Sequence, residues 1–148
     1  MAYVTKNDEY VDLEEGFEEC EVVDYEPKGI KVTKNKNVFN EGYLLLKLRD
    51  NIMVQQYMLL TQTKRFLFYQ LLKATKEDFD IKEECKNFDF ESIKGKKVVI
   101  KLEHNFDGVK TYTNVVNIYD IEDGRAIIEH VKQEELENDE NNIYSEEF

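Results

Sequence analysis

Apolar and polar residues alternate with a period of two along several stretches of the chain, the pattern of a half-buried β-strand. Over 38–49, Leu44, Leu46 and Leu48 share one face, while Phe39, Tyr43, Leu45, Lys47 and Arg49 share the other. Over 52–61, Ile52, Val54, Met58 and Leu60 fall together, and Gln55, Tyr57 and Thr61 oppose them. Asp50-Asn51 between the two stretches reads as a tight turn, so they predict a hairpin. A second hairpin is predicted from 97–104, with Val98, Ile100 and Leu102 inward and Lys97, Val99 and Lys101 outward, and from the β-branched stretch 111–119. Asp107-Gly108 between them accepts the positive φ angles of a type I′ turn. Residues 16–25 read as a first strand of imperfect alternation, ended by the turn chemistry of Glu26-Pro27-Lys28-Gly29. Residues 30–37 read as a basic, flexible connection.

The period changes over 64–75, where Phe68 and Leu72, like Leu67 and Leu71, stand four apart. This predicts a helix with Thr63 as its N-cap. Residues 76–93 form an acidic linker in which Phe79, Ile81, Phe88 and Phe90 can pin the chain to the core. Asp123-Gly124 predicts a further turn and 125–131 a short edge strand. The order of strands and helix predicts a mainly β domain: a five-stranded antiparallel barrel of the oligonucleotide-binding (OB) class, with one helix between strands three and four. An α+β sandwich with the same element order is the alternative. The expected organisation is a flexible N-terminal arm over 1–15, the OB domain over 16–131, and a disordered acidic tail over 132–148, where apolar residues are few and charge is high.

The chain has 148 residues and suits one domain with a real core. A net charge of −12 argues against nucleic acid until it is divided along the chain. Residues 1–26 carry −9, 28–76 carry +8, 77–93 carry −5, 94–118 carry +3 and 119–148 carry −9. A phosphate backbone responds to a local basic surface rather than to the total. The start of the chain resembles no secretion signal, and no apolar run approaches the ~20 residues that span a bilayer. Cys20 and Cys85, the only cysteines, match no zinc or redox spacing, so a reducing, cytoplasmic location is expected.

Catalytic patterns are missing. His104 and His130 accompany no serine or cysteine nucleophile motif, no Gly-rich phosphate loop occurs, and the acidic run 78–84 lacks the Gly and final Glu of a calcium loop. A non-enzymatic protein without metal or cofactor is expected. The basic and aromatic residues say more. Single-stranded DNA is held by Lys and Arg along its phosphates and by rings stacked on its bases, about 1–3 kcal/mol per stack. Period-two geometry puts Phe39, Tyr43, Lys47 and Arg49 on one face, and Tyr57 joins them across the hairpin. The loop joining the first two strands supplies Lys31, Lys34 and Lys36; that joining the last two supplies Phe106, Lys110 and Tyr112. These eleven residues are the candidate nucleic-acid site. At the other end, Glu146-Glu147-Phe148 closes a stretch of seven carboxylate side chains over 134–148, a composition that suits capture by a pocket with a basic rim.

The segment Phe90-Glu91-Ser92-Ile93-Lys94-Gly95-Lys96-Lys97-Val98-Val99-Ile100, followed by Asp107-Gly108-Val109-Lys110-Thr111-Tyr112-Thr113-Asn114-Val115, resembles the small single-stranded DNA-binding proteins of phages and mobile elements of low-GC Gram-positive bacteria. The closing Glu146-Glu147-Phe148 is similar to the acidic tips of bacterial single-stranded DNA-binding proteins, but lacks a Pro before the Phe and has Glu in place of Asp. The resemblance implies a protein that coats unwound DNA in replication or recombination and recruits partner proteins of those processes through the tail. It also implies a phage source, working in the host cytoplasm. A homo-oligomer is compatible with it. Two rivals stand beside this reading: an acidic interaction module or DNA mimic that inhibits a host nucleic-acid enzyme, and an OB-type subunit that binds protein through the same face.

Overall fold

The computed structural model describes residues 2–146, with only the backbone for 138–146. Within them the chain forms one antiparallel sheet of seven strands. The strands are β1 (Ala2–Lys6), β2 (Glu9–Tyr10), β3 (Gly16–Val32), β4 (Val38–Lys47), β5 (Ile52–Leu60), β6 (Lys97–Phe106) and β7 (Thr111–Asp120). Helices α1 (Leu67–Thr75) and α2 (Ile81–Lys86) lie between β5 and β6, and α3 (Ile121–Glu146) follows β7. The sheet order is β2-β1-β5-β4-β3-β6-β7.

The mainly β, antiparallel expectation matches this sheet; the closed five-stranded barrel does not. The loose arm expected over 1–15 instead supplies β1 and β2, and β1 adds to the edge of β5 with Tyr3 opposite Gln55. Alternation in Ala2-Tyr3-Val4 explains this: Ala2 and Val4 are buried while Tyr3 faces out. β1 and β7 approach within 8 Å between Cα atoms but form no ladder. Side chains of β5 and α1 reach β7 beside that gap instead. The buried Gln56 Oε1 accepts from Val115 N–H at 3.0 Å, and Gln70 Oε1 of α1 accepts from Ile118 N–H at 2.8 Å. Two edge donors of β7 are thereby satisfied without a neighbouring strand.

The core fills the concave side. Leu44, Leu46, Val54, Met58, Val98, Ile100 and Leu102 meet Phe68, Leu71 and Leu72 of α1, all almost fully buried. Burying each such side chain contributes about 1.5–3 kcal/mol. Phe79, Ile81, Phe88 and Phe90 pack against this core as expected, with the Phe88 ring edge-on to Phe68 and Tyr25. The acidic linker is nonetheless part helix: Asp80 caps α2 by accepting from the Lys82 and Glu83 N–H groups. Helix α1 begins at Leu67 after an extended Phe66, three residues later than the sequence suggests, and Thr63 does not cap it.

Other differences concern turns. Strand β3 runs straight through Glu26-Pro27-Lys28-Gly29, with a bulge between Pro27 and Gly29. Beyond Glu21 it pairs only with β4, so Pro27 sits on a free edge where its missing N–H costs no ladder bond. Residues 30–37 are thus the end of a β3–β4 hairpin rather than a flexible connection, with Thr33 N–H donating to Asn37 O at 2.9 Å. The paired positive φ angles expected at Asp107-Gly108 occur instead at Asp50 and Asn51, both 59°, and at Asn7 and Asp8, 52° and 64°. At the β6–β7 hairpin only Gly108 has positive φ, and Asp107 Oδ1 accepts from the N–H groups of Val109 and Lys110 at 2.8 Å each. Thr61, assigned outward by parity, is buried just past the end of β5.

The largest correction is at the C-terminus. The turn at Asp123-Gly124, the edge strand over 125–131 and the described part of the disordered tail are all helix, α3. Gly124 lets that helix sit directly on β6: a Cβ there would stand 2.2 Å from Val99 Cβ. Val99, assigned outward, is therefore buried. Arg125 fixes the contact to β3 through Glu19, Nη2 to Oε1 at 2.8 Å. Among the described residues no helix is long and apolar enough to cross a membrane.

Candidate nucleic-acid interface

Helix α3 touches β3, β6 and β7 on the convex side, and the same side of β4 and β5 carries partly exposed side chains. Period-two geometry presents Phe39, Glu41, Tyr43, Leu45 and Lys47 of β4 there, beside Met53, Gln55, Tyr57 and Leu59 of β5. Tyr43 and Tyr57 are direct cross-strand partners, their rings edge-on with centroids 6.0 Å apart. Both are half-buried. The Tyr57 hydroxyl donates to Glu41 Oε2 at 2.5 Å. Burial, and then that carboxylate, push its ionisation far above the usual tyrosine range, so the ring stays neutral.

Cations from β3 lie over these rings. Lys28 Nζ stands 5.8 Å from the Tyr43 centroid and Lys31 Nζ 5.8 Å from that of Tyr57. Lys28 also holds Glu26 at 2.7 Å, a hydrogen bond that raises the lysine's pKa. Lys31 makes no ion pair among the described residues. Lys34 and Lys36 are exposed at the tip of the same hairpin, Lys36 in the left-handed region at φ 62°. Ile30, Val32 and Val38 are exposed beside them. Phe39, pairing with Lys31, lines a cleft of about 310 Å³ with Ile30, Val38, Leu60, Lys82 and Lys86.

Not all the expected residues gather here. Lys47 pairs in register with Glu21, and Arg49 sits in the turn after β4, its Nη2 3.3 Å from Glu18 Oε1 and its Nη1 3.9 Å from Asp50 Oδ2. Lys47 and Arg49 line a separate cleft of about 370 Å³ that Glu18, Glu19 and Glu21 also line. The hydrogen bonds that Arg49 donates to Glu18 raise its already high pKa. Carboxylates of β3 thus border Lys47 and Arg49, which a count by sequence blocks conceals.

Phe106 is exposed at the tip of the β6–β7 hairpin. Lys110 Nζ lies 5.6 Å from the Tyr112 ring, and both line a cleft of about 300 Å³ at the β1–β7 seam with Tyr3 and Tyr10. Tyr3 and Tyr10, hidden in what reads as a polar arm, are the residues the sequence reasoning misses; the short alternation around Tyr3 is the signal that could find them. Glu147 and Phe148 of the expected partner-binding tip lie outside the described residues, and of Glu146 only the backbone is described, as the last residue of α3.

No other chemistry competes for attention. Among the described residues no group of three or more His, Cys, Asp or Glu is placed to hold a metal ion. Cys20 is buried, which pushes its thiol up to about 12, and Cys85 is half-buried with its thiol raised by the same cause. No protein-family model and no curated protein matches this chain.

Proposed function

We propose that the protein binds single-stranded DNA on the convex face of β4 and β5, through an OB-type arrangement to which β1 and β2 have been added. The pairing of β3 with both β4 and β6, of β4 with β5 and of β6 with β7, with α1 between β5 and β6, supports the OB reading. The observation that carries the function is the pair of facing rings, Tyr43 and Tyr57, each with a lysine 5.8 Å from its centroid, on a face left open to solvent. Rings supply stacking on any base, and lysines beside them meet the phosphates. The hairpin tips that carry Lys34 and Lys36, and Phe106 and Lys110, extend the same chemistry beyond the sheet. The protein coats unwound DNA in replication or recombination, and its acidic end recruits partner proteins.

Titration with oligo-dT at two salt concentrations, beside a duplex control, tests this. Tyrosine fluorescence should be quenched by the single strand and not by the duplex, with affinity falling as salt rises. An unchanged signal, or equal binding of the duplex, rejects the reading. It would then favour the rival in which the carboxylates Glu18, Glu21 and Glu26 bordering the face make it an acidic protein-docking surface.

A further inference from the structure

We propose that β1 and β2 lengthen the nucleic-acid path, so that a bound single strand runs across the strands from the Lys31–Tyr57 pair into the cleft at the β1–β7 seam, where Tyr3, Tyr10 and Tyr112 stack on further bases. The proposal rests on the convex face being a single-stranded nucleic-acid platform. It adds a binding element that the sequence hides.

Registers set the path. Tyr43 faces Tyr57 directly, and Tyr3 faces Gln55, two residues along β5 from Tyr57. Tyr3 and Tyr57 therefore share a face as diagonal neighbours, within reach of aromatic side chains. The Tyr10 ring follows at 6.3 Å from Tyr3. Tyr112 reaches the same cleft from β7, and its hydroxyl, hydrogen-bonded to Asp107 with Tyr3 nearby, is held neutral above the usual tyrosine range. At about 4.8 Å between neighbouring strands, the distance from β4 to β2 is about 15 Å. Five tyrosines thus cross four adjacent strands and end on a fifth.

Exposure argues that these rings do not serve the core. Tyr10 is 78 % exposed and Tyr3 38 %, whereas Val11 and Leu13 nearby in sequence do pack on the core. The charge is sparse here: Lys110 is the cation lining the cleft, and Asp12 lines it too. Stacking rather than ion pairing must dominate at this end, which gives the proposal a distinctive readout.

The experiment measures anisotropy of labelled dT oligomers from about 4 to about 16 nucleotides, the range covered by single OB domains. The full-length chain is compared with the double variant Tyr3→Ala, Tyr10→Ala and with Tyr3→Phe, Tyr10→Phe, which keeps both rings. The alanine variant should bind the shortest oligomers as the parent does and lose roughly 5- to 150-fold on the longest per lost stack. Its salt dependence should stay the same, because no cation is removed. The phenylalanine variant should match the parent throughout. If the parent binds but the alanine variant shows the same length dependence, or an equal loss at every length, the extension is wrong and the platform stands. If the parent ignores oligomers of every length, both fall.

Discussion

The two ends of the β4–β5 hairpin share one ladder and one core, yet they treat their cations differently. Toward the β3–β4 tip, Lys28 and Lys31 lie against the faces of Tyr43 and Tyr57. Toward the Asp50-Asn51 turn, Lys47 stands opposite Glu21, and Arg49 is held between Glu18 and Asp50. Exposed ion pairs such as those of Arg49 add little stability, so their effect is chiefly to remove charge that a phosphate would otherwise meet. Strand pairing therefore decides what a basic stretch of sequence becomes. Glu18 and Glu21 of β3 fall beside Arg49 and Lys47 at one end, while at the other Lys28 and Lys31 of β3 itself meet rings, Lys28 pairing with Glu26 as well.

The sharpest way to break this contrast is to remove the rings. Tyr43→Ala or Tyr57→Ala should each weaken oligo-dT binding by about 1–3 kcal/mol, roughly 5- to 150-fold by anisotropy. Tyr57→Phe should retain the affinity, since it loses only the hydroxyl bond to Glu41. A loss with phenylalanine as large as that with alanine would mean that the Glu41 contact, not the ring, matters.

How much of this the sequence discloses depends on the range of the interactions involved. Inward residues such as Leu44, Leu46, Val98 and Ile100 are legible because alternation alone places them. So are the Tyr43–Tyr57 face and the packing of Phe79 and Phe88. Gly124 misleads, because the same residue that permits a turn also permits a helix to rest on Val99, and only the tertiary contact decides which. The arm over 1–15 misleads because β1 is five residues long and gains its partner from β5, far along the chain. Gln56 is the clearest case of a residue with no local signal. It interrupts the apolar face of β5, and only the β7 donor beside it explains why.

Gln56 also ties β5 to β7 beside the tyrosine cleft. Gln56→Ala leaves the Val115 N–H unpaired in a buried seam, which should cost about 1–3 kcal/mol, read as a lower urea midpoint with an unchanged slope. Because the seam borders the Tyr3 and Tyr112 cleft and not the Arg49 turn, binding of long oligomers should suffer more than that of short ones. An unchanged midpoint would show that the seam is not held by this side chain.

The smallest effect discriminates the two ends most directly. Lys31 is unpaired among the described residues and Arg49 is paired, and each is a single cation at one end of the β4–β5 hairpin. Lys31→Gln should reduce the slope of log affinity against log salt by about 0.7, the contribution of one phosphate contact to a single strand. Arg49→Gln should leave that slope unaltered, because Glu18 and Asp50 already occupy the guanidinium. Equal reductions would mean that the strand displaces the carboxylates of β3 on binding, and the distinction between the ends would then be a property of the free protein alone.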